Sequence, residues 1–202
     1  MVMPLAGKFF RRSRAVSVTS SINRQLSTAR LEAVRRGVQV VVEISTIAGP
    51  DGANQIHLKT FSDNNPDFVL GTYTPAGGGP AKNEAVLGEI NLDPKIHIWK
   101  YGGTIDDMST GVLWNTYNGS GSLQNRIVFL PTGALTPPQA GNSGPPSSSS
   151  GRGIYFADAS GSPAVGKNYF RVTIYSDIVA RPRIEKYVNS SVQYATTGWT
   201  WL

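Results

Sequence analysis

The chain has 202 residues, 40% hydrophobic and 16% charged, and no cysteine. It is long enough to bury a core without covalent staples, and it cannot carry disulfides, cysteine-ligated zinc, iron–sulfur clusters or thiol catalysis. The net charge of +6 is concentrated at one end, where Lys8, Arg11, Arg12, Arg14, Arg24, Arg30, Arg35 and Arg36 face Glu32 alone and the rest is close to neutral.

No run approaches the ~20 apolar residues that span a bilayer. The opening Met1–Gly7 is too short for the apolar core of a signal peptide. The chain as given therefore reads as soluble, with no export signal of its own.

The first element is a helix over Pro4–Arg36. From Lys8 to Arg36 there is no Gly or Pro. Pro4 suits a first helical turn, and Gly37 follows Arg35 and Arg36 where a left-handed C-cap belongs. Val18, Ile22, Leu26, Ala29 and Ala33 recur at steps of three and four, which makes one narrow apolar stripe. The cluster Ser17, Thr19, Ser20, Ser21 marks a candidate break, with Ser21 as a second N-cap. Unbroken, such a helix reaches about 50 Å, more than the ~40 Å width of a globule of this length. It is expected to overhang.

After Gly37 the period changes to two. Short β-branched or aromatic runs at Val38–Ile47, Gln55–Phe61, Phe68–Tyr73, Ala85–Leu92, Lys95–Tyr101, Val112–Tyr117, Arg126–Leu130, Gly153–Ala157, Asn168–Tyr175 and Arg183–Tyr187 are bounded by turn residues. With no βαβ alternation, this predicts an α+β fold: the helix (1–37) packed on an antiparallel sandwich or curved sheet (38–202). Pro131–Gly153 is so rich in Pro, Gly and Ser that it reads as a flexible surface loop.

Catalytic patterns are lacking. His57 and His97 sit in strand-like runs without a carboxylate at motif spacing, and half-exposed strand positions account for both. Gly77–Gly79 precedes Pro80 and reads as a turn, not a phosphate cradle. Asp106–Asp107 and the pair Asp63 and Asp67 read as solvated turn acids, because their spacing lacks a calcium-loop pattern. Asn118–Ser120 and Asn189–Ser191 match the glycosylation triplet, which is common by chance. No cofactor or resident metal is expected, and no enzyme.

The second basic feature is Arg181, Arg183 and Lys186, with Arg171 nearby. Alternate arginines on an extended strand suit two adjacent phosphates. Tyr187, Tyr194, Trp199 and Trp201 could stack on single-stranded bases. The alternative is an edge strand defended by charge, with the aromatics on the sheet.

The string from Ile22 through Leu26, Ala29, Arg30, Glu32, Ala33 and Gly37 to Val40 resembles the conserved helix-to-strand segment of GspH/FimT minor pseudopilins, subunits of type II secretion systems and type IV pili. Ile127–Gly133 (IVFLPTG) is similar to the family's I-x-F-x-P-x-G strand and turn. Arg181-Pro182-Arg183 resembles its C-terminal G-R-x-R, with Ala180 in place of the glycine. The resemblance implies a non-enzymatic filament subunit with other pilin-like subunits as partners. It also implies an inner-membrane precursor with a periplasmic globular part, or a place in an extracellular filament. The apolar membrane segment of such proteins is not in this sequence, through trimming or an internal start. A DNA-uptake subunit binding DNA through Arg171, Arg181, Arg183 and Lys186 is the alternative. Ala29 and Ala33 are expected to help helices bundle in the filament, with Glu32 supplying matched charge.

Overall fold

The computed structural model describes residues 3–50, 52, 54–99, 126–135, 152–158, 169–174, 182–187 and 199–201. The expected strand at Val112–Tyr117, Arg181, Asp106–Asp107, both glycosylation triplets and most of the Pro131–Gly153 loop lie outside them.

Helix α1 runs unbroken over Met3–Arg36. The Ser/Thr cluster does not interrupt it, because the Thr19 hydroxyl donates back to the Ala15 and Val16 carbonyls at 2.8 and 3.1 Å. A hydroxyl bonded one turn back stays compatible with the helix. Gly37 closes the helix in the left-handed region (φ 68°), with its N–H donating to the Ala33 carbonyl at 3.0 Å. Val18, Ile22, Leu26, Ala29 and Ala33 are all buried, and Ala15 and Thr19 extend the stripe by a turn.

Every strand pairing among the described residues is antiparallel. The molecule is thus α+β, one N-terminal helix with antiparallel sheet. The first sheet has the order β5-β2-β1-β7, from Val86–Asn91, Asn54–Asp63, Gln39–Ala48 and Arg126–Phe129. The second has the order β11-β10-β9-β8-β6, from Trp199–Trp201, Pro182–Tyr187, Tyr169–Ile174, Arg152–Asp158 and Ile96–Trp99. A small hairpin pairs β3 (Thr72–Tyr73) with β4 (Lys82–Asn83).

The helix stripe joins both sheets in one core: Val40, Val42 and Ile44 of β1, Ile56 and Leu58 of β2, Phe129 of β7, Ile96 of β6 and Val172 of β9. Gln25 adds a polar tie, donating to the Thr60 hydroxyl at 2.7 Å. The opposite face of the first sheet holds a second cluster, Val41, Phe61 and Val128, covered by Phe68 and Leu70. That explains the run Val40-Val41-Val42, since β1 is apolar on both faces at its centre.

Three expectations are corrected. Of the expected strand Phe68–Tyr73 only Thr72–Tyr73 is one: Asn64–Gly71 is a bent loop, with Phe68 itself left-handed (φ 62°). Carboxylates take donors that a ladder would need, Asp63 Oδ2 from Phe68 N at 3.0 Å and Asp67 Oδ1 from Val69 N at 2.8 Å. The Arg183 strand is interior, because β11 pairs outside it, so edge defence does not explain its charge. Pro131–Leu135, read as the start of the flexible loop, is a packed turn with Leu135 buried.

Candidate functional site

The helix presents two unlike faces. Opposite the buried stripe lie Ser13, Ser17, Ser20, Arg24, Ser27, Leu31 and Val34, at alternating steps of four and three. All are exposed except the half-buried Ser27; Leu31 is 64% and Val34 51% exposed. Steps of four and three trace one face of any helix, and helices that pack side by side meet along such a line. Here it is mostly small or apolar, with Arg24 its one charged member, in a helix otherwise crowded with arginine. Ala29, Ala33 and Glu32 do not belong to it. Both alanines are buried beneath the helix. Glu32 accepts from Arg35 at 2.6 and 3.0 Å and from Arg36 at 2.7 Å on its own helix. Those bonds, Arg35's first, hold the Glu32 carboxyl down at about 2, so its charge is already matched.

The turn after β7 meets the C-terminal half of the helix. Gly133 N donates to the Leu130 carbonyl at 2.8 Å, forming a turn with Pro131 in its second position. Gly133 is left-handed (φ 78°). Its carbonyl accepts from Arg30 Nε at 3.0 Å, and a Cβ there would lie 3.0 Å from Val34 Cγ2. Gly133→Ala is therefore expected to cost about 2 kcal/mol, from left-handed strain plus displacement of Val34 and Arg30. A urea melt checks this; an unchanged midpoint would show that the turn does not depend on that conformation.

Of the basic residues on the helix, Arg14 is placed by Asp93, Nε to Oδ2 2.8 Å. The pair sits beside an open groove of about 620 Å³ lined by Ser13, Ser17, Val18, Ser21 and Leu92. The C-terminal basic residues are split by register. Arg171 lies opposite Glu185 and Arg183 opposite Thr173, on one parity, while Lys186 lies opposite Phe170 on the parity of Val172 and Ile184. Tyr187 and Trp199 are cross-strand partners, and Trp201 lies opposite Glu185.

His57 has Ser45 Oγ 3.5 Å from Nδ1 and Glu89 Oε2 3.7 Å from Nε2. The trio has the composition of a nucleophile–base–carboxylate set, but both distances exceed hydrogen-bond reach for proton transfer. It also lies across three paired strands, whose backbone N–H groups on either side serve the ladders. Lys59 Nζ shares Glu89 at 3.4 Å, and Arg126 pairs with Glu43 at 3.5 Å. This is a polar strip on a sheet face. His97 lies in β6 opposite Ala157.

Of the two described acids expected to be solvated, Asp67 is exposed and Asp63 is not. Asp63 is 1% and Glu84 6% exposed, and one oxygen from each of Asp63, Asp67 and Glu84 lies within 4.8 Å of the others. Glu84, in the tight connection after β4, closes the Asn64–Gly71 loop: Asn64 N donates to Oε1 at 2.6 Å and Gly71 N to Oε2 at 3.1 Å. Its own N–H donates to the Gly71 carbonyl at 2.9 Å. Asp63 Oδ1 is buried without a donor among the described residues. Burial, first, then the charges of Glu84 and Asp67 push the Asp63 carboxyl up, against the backbone N–H groups of Phe68 and Asp67 that lower it. Sequence reasoning paired Asp63 with Asp67 but missed Glu84, which reaches them across the β3–β4 hairpin.

Comparison with family models, with curated proteins and with solved structures yields no match for this chain.

Proposed function

We propose that the chain is a non-enzymatic pilin-like subunit, a minor pseudopilin that helps assemble or prime a type II secretion pseudopilus or a type IV pilus. Its helix joins those of other pilin-like subunits while the sheets form the outer globule, in a pilin-like sandwich or curved arrangement. The observation that carries this reading is the two-faced helix: 34 unbroken residues, one face committed to the core and the other a mostly uncharged 3.5-period seam. A solvated helix face is polar, and exposed Leu31 and Val34 are the members of this one that solvation does not account for. The Arg30–Gly133 bond adds support, because it joins the two stretches of sequence that resemble the family. Among the described residues no helix is long and apolar enough to cross a membrane. Membrane anchoring in this proposal therefore belongs to a segment outside the given sequence, and the globule to the periplasm.

The chain contains no cysteine, so single-cysteine variants report unambiguously. In cells with an active secretion or pilus system, Leu31→Cys and Ser20→Cys should cross-link to other pilin-like subunits, whereas Leu26→Cys, buried beneath the helix, should not. Deleting the gene should impair secretion or piliation. Intact secretion and piliation in the deletion strain, with no cross-link from either seam position, would sink the reading.

A further inference from the structure

We propose that the Asn64–Gly71 loop holds one Ca2+, bound by Asp63, Asp67 and Glu84. Three carboxylates converge there with oxygens within 4.8 Å of one another. Oxygens on opposite sides of one Ca2+, at bond lengths of 2.3–2.6 Å, stand about 4.6–5.2 Å apart. Such a spread fits a single large, hard cation, and the donor set is all oxygen.

The second, independent observation is Asp63 itself. It is 1% exposed, and its Oδ1 is buried with no donor among the described residues. A buried carboxylate oxygen left without a partner is costly. Among the described residues no Lys, Arg or His is ion-paired with any of the three acids. The donors that do serve them are neutral: the N–H groups of Asn64, Asp67, Phe68, Val69 and Gly71, and the Asn65 amide on Asp67 Oδ2 at 2.8 Å. These orient the carboxylates but leave up to three negative charges in a half-buried loop. A divalent cation supplies both the missing charge and the missing partner for Oδ1. Exposed Asp67 leaves one side open to water, which completes the coordination that three carboxylates cannot. The ion would fix the loop whose Phe68 and Leu70 cover Val41, Phe61 and Val128.

The test uses the intact chain, stripped with chelator, and Ca2+ alone as probe. At Ca2+ about a hundredfold above Kd, the melting temperature should rise by about 5–10 °C, and equilibrium dialysis should find one ion per chain. Kd should fall in the range of about 10⁻⁴–10⁻³ M typical of extracellular modules. Asp63→Asn keeps the shape of the side chain and should lose both the shift and the bound ion. Asp67→Asn, at an exposed position that leaves folding intact, should weaken Kd about tenfold or more, because site affinity follows ligand charge. Glu89→Gln, on the β5 surface, should leave Kd unchanged. No shift and no bound ion in the parent at about 10 mM Ca2+, above the weak-site range, would overturn the proposal. An unchanged Kd in Asp67→Asn would overturn it equally. Neither result bears on the filament reading, which rests on the helix.

Discussion

Leu26→Ala is expected to destabilise the protein by about 3–5 kcal/mol, among the largest effects of any single truncation in the helix. Leu26 is fully buried, in one cluster with Ile22, Val42, Leu58 and Phe129. Its loss removes the transfer energy of the side chain and leaves a cavity that the surrounding strands are too constrained to fill. The midpoint should fall by about 10 °C or more for a domain of this size. Leu31→Ala, on the outer face, should move stability by no more than about 0.5 kcal/mol, yet it alters the seam through which the subunit is proposed to assemble. The pair therefore separates folding from assembly: one variant melts early, and the other melts normally but cross-links and assembles poorly. Equal melting of the two would mean that Leu26 is not part of the core as described.

Glu84→Ala should cost about 2–4 kcal/mol, measured without Ca2+. It removes two charge-assisted hydrogen bonds, to Asn64 N and Gly71 N, each worth about 1.5–3 kcal/mol. Relief of repulsion with Asp63 and Asp67 offsets part of that loss. The local consequence is sharper than the global one. Amide protons of Phe68 and Val69 should exchange faster, because the loop loses the carboxylate that binds both its ends. Unchanged exchange there would show that the loop is held by Phe68 and Leu70 alone.

The helix was legible because three independent cues agreed: the stripe from Val18 to Ala33, the proline near its start and the glycine after its end. Its unbroken passage through Ser17–Ser21 was not, because Ser and Thr favour caps in general and only the Thr19 bond to Ala15 shows which way this one turned. Ala29 and Ala33 were read both as part of the stripe that meets the sheets and as filament contacts; they are buried and let the helix approach its own sheets. Small residues carry no label for which partner they fit. Most strands were readable from alternation, but Phe68–Leu70 has strand composition and lies in a loop. Side chains at Asp63 and Asp67 capture its backbone donors, and Glu84 fastens both ends of the loop from across a hairpin. The same long-range closure hid the third acid of the cluster. The bond between Arg30 and Gly133 spans 103 positions, so the two stretches could be noticed separately but not joined.

That separation also sets an order of events at the ribosome. The helix is the first element made, yet its stripe is completed by Phe129, Val172 and Ile184, which come from the later half of the chain. At about 5–20 residues per second, the interval between Arg30 leaving the tunnel and Gly133 following it is roughly 5–20 s. Over that time Ile22 and Leu26 have only the first strands to lean on. The nascent subunit therefore passes through a stage in which an arginine-rich helix with an uncovered apolar stripe is available to whatever handles emerging chains, well before the fold that will claim it exists.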